Sequence, residues 1–317
     1  MLMLGGAALR GKALEHAGRI AAKTGCRLLS EYNNPRAEGG AGRVRVDRLP
    51  YPIDIALGTM KGTQELVLAG ARAPVSFFAY PGKPSLLTPD GCHVTRLAAA
   101  EEDLQHALEA LADELGARSA APAHVNERSR PALPNGAVTL EGLATVLAAL
   151  LPENAIVTDE SVTSGRNLGS FMAGAAPHDW LNICGGSIGW ALPIATGAAI
   201  AAPERKVVAL EGDGSGMYTL QALWTMAREN LDVTVVVLAN RSYQILRGEL
   251  AAMGAGTPGQ RAKDMLTLDR PDLDWVSLAK GHGVEAGRAT TLEEFADQFR
   301  RGIAHRGPYL IELVIAA

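Results

Sequence analysis

The run Val233-Thr-Val-Val-Val-Leu238 restricts the fold more than any other stretch of the chain. A half-exposed strand alternates apolar and polar residues. A run that is apolar or β-branched throughout instead fits a strand covered on both faces, as the inner strands of parallel sheets are. A second short apolar run, Lys206–Leu210, precedes it, and Thr219–Glu229 between the two reads as a helix. Strand, helix, strand is a βαβ unit, whose right-handed crossover makes its strands parallel. Both strands therefore end on the same edge of the sheet.

The same alternation extends over most of the chain. Near the N-terminus, Leu2–Leu4 reads as a strand and Lys12–Thr24 as a helix with Leu14, Ala17, Ile20 and Ala21 on one side. Cys26–Ser30, Glu65–Ala69 and Val75–Tyr80 read as strands, and Glu101–Leu115 as a helix with Leu104, Leu108 and Leu111 on one face. Residues 118–136, with Pro122, Pro131 and Pro134 and no periodicity, carry the signature of a linker. Beyond them Thr139 is placed to cap a helix running to Leu151. Ala155–Thr158 follows as a strand, Ser187–Ala202 as a small-residue helix and Tyr309–Ile315 as a last strand. The expected class is α/β, with two parallel-sheet domains at 1–117 and 137–317.

Composition narrows the function classes. A net charge of −4 gives no basic surface for nucleic acid. No apolar run reaches membrane-spanning length, and Met1–Gly6 lacks the basic start and long apolar core of a signal peptide, so a soluble protein is expected. Cys26, Cys92 and Cys184 lie far apart, which predicts neither a disulfide framework nor a zinc site and makes a reducing cytoplasm the default.

The chemistry is concentrated at the βαβ unit. Asp213 and Asn240 each follow the end of a strand by two or three residues, and adjacent strands lie about 4.8 Å apart, so the two side chains can converge. A carboxylate, an amide oxygen and loop carbonyls form a hard-oxygen set suited to Mg²⁺, which completes its shell with phosphates. Gly212, Gly214 and Gly216 let the backbone approach a ligand closely, and a helix starting near Met217 would aim its free N–H groups at the same place. Gly212–Gly216 alone also reads as an ordinary strand-to-helix turn. A dinucleotide fingerprint fits worse, because Gly216 comes too early and the next strand ends in Ala239-Asn240 instead of an acidic residue.

Gly212-Asp213-Gly214, a spacer of about two dozen residues and Asn240 at the end of an apolar strand resemble the cofactor motif of thiamine diphosphate-dependent 2-oxo-acid decarboxylases and acetohydroxyacid synthases. The family motif usually ends in two Asn, and this chain has Ala239-Asn240. The resemblance implies Mg²⁺ on Asp213, Asn240 and the carbonyl of Ser242, with Gly214 and Ser215 on the diphosphate and Tyr243 beside them. Gly185-Gly186-Ser187-Ile188-Gly189-Trp190 is similar to the segment preceding that motif. It implies Gly186 and Ser187 as cofactor-binding, the Gly186 carbonyl meeting the aminopyrimidine amine, and Ile188 as the wedge under the bent cofactor. Asp159-Glu160-Ser161-Val162-Thr163 resembles the loop whose hydroxyl meets the diphosphate, which implies Thr163, although a simple helix cap accounts for Thr163 nearly as well.

The first domain resembles the Rossmann-like middle domain of the same enzymes, often structural and sometimes a binder of FAD or ADP; nothing in the sequence supports FAD. The resemblance implies a 2-oxo acid substrate and a homo-oligomer. It also implies a glutamate from a further N-terminal domain, which drives deprotonation of the thiazolium carbon. No residue here is assigned that role, Glu160 and Glu211 included. The expectation is a decarboxylase or carboligase completed by a domain outside these residues or by a partner, with a cofactor-binding or assembly module lacking independent catalysis as the alternative. Gln244–Arg261, with Gly248, Gly254, Gly256 and Gly259, reads as a long, irregular, mobile loop, and Arg247 in it reads either as a substrate-carboxylate ligand or as an ordinary surface arginine.

Overall fold

The computed structural model describes residues 1–166 and 168–315; Asn167 and the last two residues of the expected second domain lie outside them. The chain divides into two compact units, Met1–Glu127 and Arg128–Ala317. The division falls inside residues 118–136, yet that stretch is not a free tether. In the first unit the Ala123 N–H donates to the Gly18 carbonyl, and in the second the Ser129 N–H donates to that of Gly174.

The first unit contains β1 (Leu2–Leu4), α1 (Gly11–Thr24), β2 (Leu28–Ser30), β3 (Arg36–Gly39), β4 (Asp47–Arg48), α2 (Ile53–Met60), β5 (Glu65–Ala69), β6 (His93–Ala98) and α3 (Leu104–Glu114). Its sheet runs β4-β2-β1-β5-β6, every adjacent pair parallel. Leu14, Ala17 and Ile20 of α1 and Leu104 and Leu108 of α3 bury their apolar stripes in one core with Leu2 and Leu4. The expected strand at Val75–Tyr80 does not form. β6 takes the place beside β5, and the segment keeps a single bridge, Val75 to Leu86. Its rings instead pack on one another, Phe77 against Phe78 at 4.8 Å and against Tyr51 at 5.2 Å between centroids.

The second unit contains α4 (Leu140–Leu150), β7 (Ala155–Glu160), α5 (Leu168–Phe171), β8 (His178–Asn182), α6 (Ala191–Ala201), β9 (Val207–Gly212), α7 (Asp213–Gly216), α8 (Ala222–Arg228), β10 (Val233–Ala239), α9 (Gln244–Ala252), α10 (Gln260–Met265), α11 (Trp275–Gly281), β11 (Glu285–Ala289), α12 (Leu292–Ala304) and β12 (Tyr309–Val314). Its strands run β11-β12-β10-β9-β7-β8, all parallel. Val233–Ala239 is buried along its whole length, because helices cover both faces of the sheet. Val236 and Leu238 face a core shared with Phe295 and Phe299 of α12, while Val233, Val235 and Val237 face Leu192 of α6, Leu223 of α8 and Trp275 of α11.

Three expectations change here. Thr139 caps α4 through its side chain, as expected, but α6 begins at Ala191 and not at Ser187. Gly185, Gly186 and Gly189 hold φ of +73°, +69° and +88°, left-handed values that glycine tolerates and a helix does not. The turn after β9 is helical from Asp213 itself, so no helix starts at Met217. Gln244–Ala252 is helix α9 and not an irregular loop.

Candidate cofactor site

β9 and β10 are neighbours, with Leu238 level with Gly212, so the residues just beyond both strands emerge side by side. Asp213 is 3% exposed and spans the two loops. Its Oδ1 accepts the Gly214 N–H at 2.9 Å, and its Oδ2 accepts the Arg241 N–H at 2.6 Å. Asn240 is fixed at both ends of its amide: Oδ1 accepts the Ser242 N–H at 2.9 Å, and Nδ2 donates to Ser164 Oγ at 3.1 Å. Asp213, Asn240 and Ser242 are thus brought together at one sheet edge, all buried.

Burial pushes the Asp213 carboxyl up to about 6, against the opposing pull of its N–H donors and of the Arg241 charge. A carboxylate held in this state lacks a sufficient counter-charge, and a cation supplies one. Among the described residues no cluster of three or more His, Cys, Asp or Glu forms a metal site. One carboxylate with neutral oxygens fits an ion such as Mg²⁺ that retains water or phosphate ligands.

The glycines have specific neighbours. A Cβ on Gly214 would lie 2.5 Å from the ring of Tyr243, and one on Gly216 would lie 2.7 Å from the ring of Trp275. Tyr243 therefore packs directly on the turn assigned to the diphosphate. The Ser215 hydroxyl does not face the same way. It lies 2.5 Å from Glu211 Oε1 and 3.1 Å from the Gly212 carbonyl, inside the strand end, which leaves the backbone of Ser215 as its means of contacting a diphosphate.

The turn Gly185–Gly189 lies against the same region. Gly186 and Ser187 are exposed and Ile188 is partly buried. The Gly189 carbonyl accepts from Thr219 Oγ1 at 2.9 Å, and a Cβ on Gly189 would lie 2.7 Å from Tyr218 Cβ. Tyr218 in turn hydrogen-bonds the phenol of Tyr243, which burial pushes up. Gly189, Tyr218, Tyr243 and Gly214 thus form a chain of contacts linking the two sequence blocks. Thr163 is partly buried in the loop after β7, preceded by Val162 at φ +49° and followed by Ser164, the residue that holds Asn240.

Glu160 and Glu211 face each other in register across β7 and β9, both fully buried. Burial raises both carboxyls, Glu211 further, with the neighbouring Glu160 charge adding to its rise. Glu160 accepts three backbone N–H bonds from residues 189–191, and Glu211 is bonded to Ser215. Arg247 donates to Thr267 Oγ1 at 2.9 Å and lines a cavity of about 460 Å³ with Asn240, Arg241 and Ser242. Ser164 and Tyr218 are structural contributors not expected from the sequence, and Glu160, expected there only as not being the activating glutamate, ties the Gly189–Ala191 backbone. Only Ser164 left a signal, as a second hydroxyl beside Thr163 in the loop after β7.

Residues 163–313 match the family described as thiamine pyrophosphate enzyme, C-terminal TPP binding domain. A Mycobacterium tuberculosis protein provisionally named acetolactate synthase large subunit IlvX is 51% identical over 316 residues, 99% of this chain and 61% of its own length. Benzoylformate decarboxylase of Pseudomonas aeruginosa is 32% identical over 178 residues, 56% of this chain and 32% of the enzyme. Among solved structures, the thiamine diphosphate-dependent 4-hydroxybenzoylformate decarboxylase of Rhodococcus jostii RHA1 superposes with a TM-score of 0.80 at 25% identity, over 100% of this chain and 61% of that one. The chain therefore spans about three fifths of the mycobacterial relative and of the Rhodococcus structure.

Proposed function

We propose, from the premise that residues 163–313 are the C-terminal cofactor-binding domain of a thiamine pyrophosphate enzyme, that this chain serves the decarboxylation or carboligation of a 2-oxo acid. The observation that carries the reading is the buried Asp213 carboxylate, joined through Arg241 N–H to the loop that presents Asn240 and Ser242. Asp213, the Asn240 amide oxygen and the Ser242 carbonyl would hold Mg²⁺, and the backbone of Gly214 and Ser215 with the Thr163 hydroxyl would meet the diphosphate. The Tyr243 ring closes the Gly214 side of that turn. Gly186 and Ser187 offer exposed backbone to the aminopyrimidine, and Ile188 stands beside them as the wedge. Bound there, thiamine diphosphate would supply the electron sink that a 2-oxo acid needs to lose CO₂.

The residues of this chain bind and orient; the group that activates the cofactor comes, in this reading, from outside them. Glu160 and Glu211 are the buried glutamates beside the site: Glu160 spends both oxygens on backbone N–H groups, and Glu211 is tied through Oε1 to Ser215 and the Gly212 N–H while its Oε2 is buried without a hydrogen bond. That same observation favours a second reading, a cofactor-binding or assembly module without independent turnover. A homo-oligomer is proposed as well. α6 is apolar around its circumference, yet Ile200 on it is 59% exposed, and Trp224 of the packed α8 is 53% exposed. No helix among the described residues is long and apolar enough to cross a membrane. Cys26, Cys92 and Cys184 form no disulfide among the described residues, which is compatible with a reducing cytoplasm.

Release of CO₂ from pyruvate and from benzoylformate, measured with thiamine diphosphate and Mg²⁺, separates the readings. Turnover by this chain alone supports the enzyme. Turnover only after addition of a glutamate-bearing partner supports a shared site, and none in either case leaves the module.

A further inference from the structure

Glu160 ends β7, is completely buried, and has no part in the roles assigned above. Its carboxylate reaches across to the start of α6. Oε1 accepts the Gly189 N–H at 2.7 Å, while Oε2 accepts those of Trp190 at 2.6 Å and Ala191 at 2.7 Å. α6 has no side-chain cap of its own, since Trp190 occupies the cap position. A helix start leaves its first N–H groups without partners, and here a carboxylate from a neighbouring strand takes those of the cap residue Trp190 and the first helical residue Ala191, together with that of Gly189 just before them. The bonds are charge-assisted and sit at the positive end of the helix dipole.

Fixing the peptide planes at 189–191 fixes the direction in which the chain enters α6, and with it the segment Gly185–Ile188. That segment needs an outside constraint, because left-handed glycines at 185, 186 and 189 give the backbone wide freedom. Another tether at Gly189 is the 2.9 Å bond from Thr219 Oγ1 to its carbonyl.

We propose that Glu160 is the positioning residue for the aminopyrimidine half of the cofactor site: without touching the cofactor, it sets the turn that presents Gly186 and Ile188. The proposal rests on the thiamine diphosphate reading above. A carboxamide cannot replace the carboxylate, since it has one acceptor oxygen and its NH₂ group would meet an N–H head-on.

Calorimetric titration of the whole chain with two probes in the presence of Mg²⁺ tests this. Inorganic diphosphate reports on the Asp213–Asn240 half, and thiamine diphosphate reports on both halves. Glu160→Gln is expected to bind inorganic diphosphate within about twofold of wild type but thiamine diphosphate about 10- to 100-fold more weakly, as loss of a charge-assisted bond implies. Glu160→Asp, which keeps the charge one methylene short, should fall between, and Thr219→Val should shift the same selectivity more weakly. Equal weakening of both probes, no weakening of either, or failure of both Glu160 variants to fold would overturn the proposal. Wild-type protein that bound neither probe would overturn the cofactor reading along with it.

Discussion

At the scale of single residues, Asp213 shows how a binding group is held at the expense of the empty fold. Its carboxyl is raised to about 6 from an ordinary 3.8, so the folded chain holds that proton more tightly than the unfolded one. The stability this contributes is fully present below pH 3.8, declines between there and 6, and is gone above 6. Relative to wild type, metal-free Asp213→Asn should therefore be better placed at pH 7.5 than at pH 4 by roughly 1–3 kcal/mol, from a shift of about two units at 1.36 kcal/mol each, on top of a pH-independent cost for the N–H of Gly214 or Arg241 that the amide cannot accept. Denaturant melts at pH 7.5 and pH 4 check this, and a difference from wild type of equal size at both would contradict it. Mg²⁺ must displace the same proton, so its affinity should fall about tenfold per unit as pH drops below 6. Gly214 offers a steric test. Gly214→Ala places a methyl 2.5 Å from the Tyr243 ring and should cost about 1–3 kcal/mol, with most of it restored by Tyr243→Ala in the same chain. Thermal melts of the two variants decide it. The contacts that tie Asp213 to Arg241 and Gly214 to Tyr243 come from the loop after the next strand, so the sequence could single these residues out only through spacing.

At the scale of elements, legibility follows the source of burial. β9, β10 and α1 carry their burial in their own apolar patterns and are readable directly. β8 is not: His178 and Asp179 are polar but buried, made tolerable by the 2.6 Å ion pair of Asp179 with Arg205 and by the His178 bond to the Ala176 carbonyl. β11, Glu285–Ala289, has no apolar run and is a strand because β12 lies beside it. α12 is readable in retrospect, with Leu292, Phe295, Ala296 and Phe299 at helical spacing and a Thr291 cap. The start of α6 was beyond local reading, since the residue that caps it lies thirty positions earlier in β7. Phe295 and Phe299 are fully buried against Val236 and Leu238, the strand that ends in the site. Phe299→Ala should lower stability by about 3–5 kcal/mol. Chemical denaturation measures the loss, and a loss below about 1 kcal/mol would contradict the packing described.

At the scale of the whole molecule, the site geometry and the comparisons point the same way. The second unit alone brings the expected metal ligands, the glycine turn and the wedge segment to one region, while the chain matches 61% of the length of its mycobacterial relative. The proposed oligomer makes a separate prediction. Trp224→Glu with Ile200→Glu should reduce the assembled mass in sedimentation, and an unchanged mass would place the interface elsewhere. The central claim, that Asp213 and Asn240 anchor a metal-bridged diphosphate, is tested most directly by titrating thiamine diphosphate with and without Mg²⁺ into wild type, Asp213→Ala and Asn240→Ala. Binding that requires Mg²⁺ and is lost in both variants is the expected result; binding indifferent to the metal and to both substitutions would contradict it.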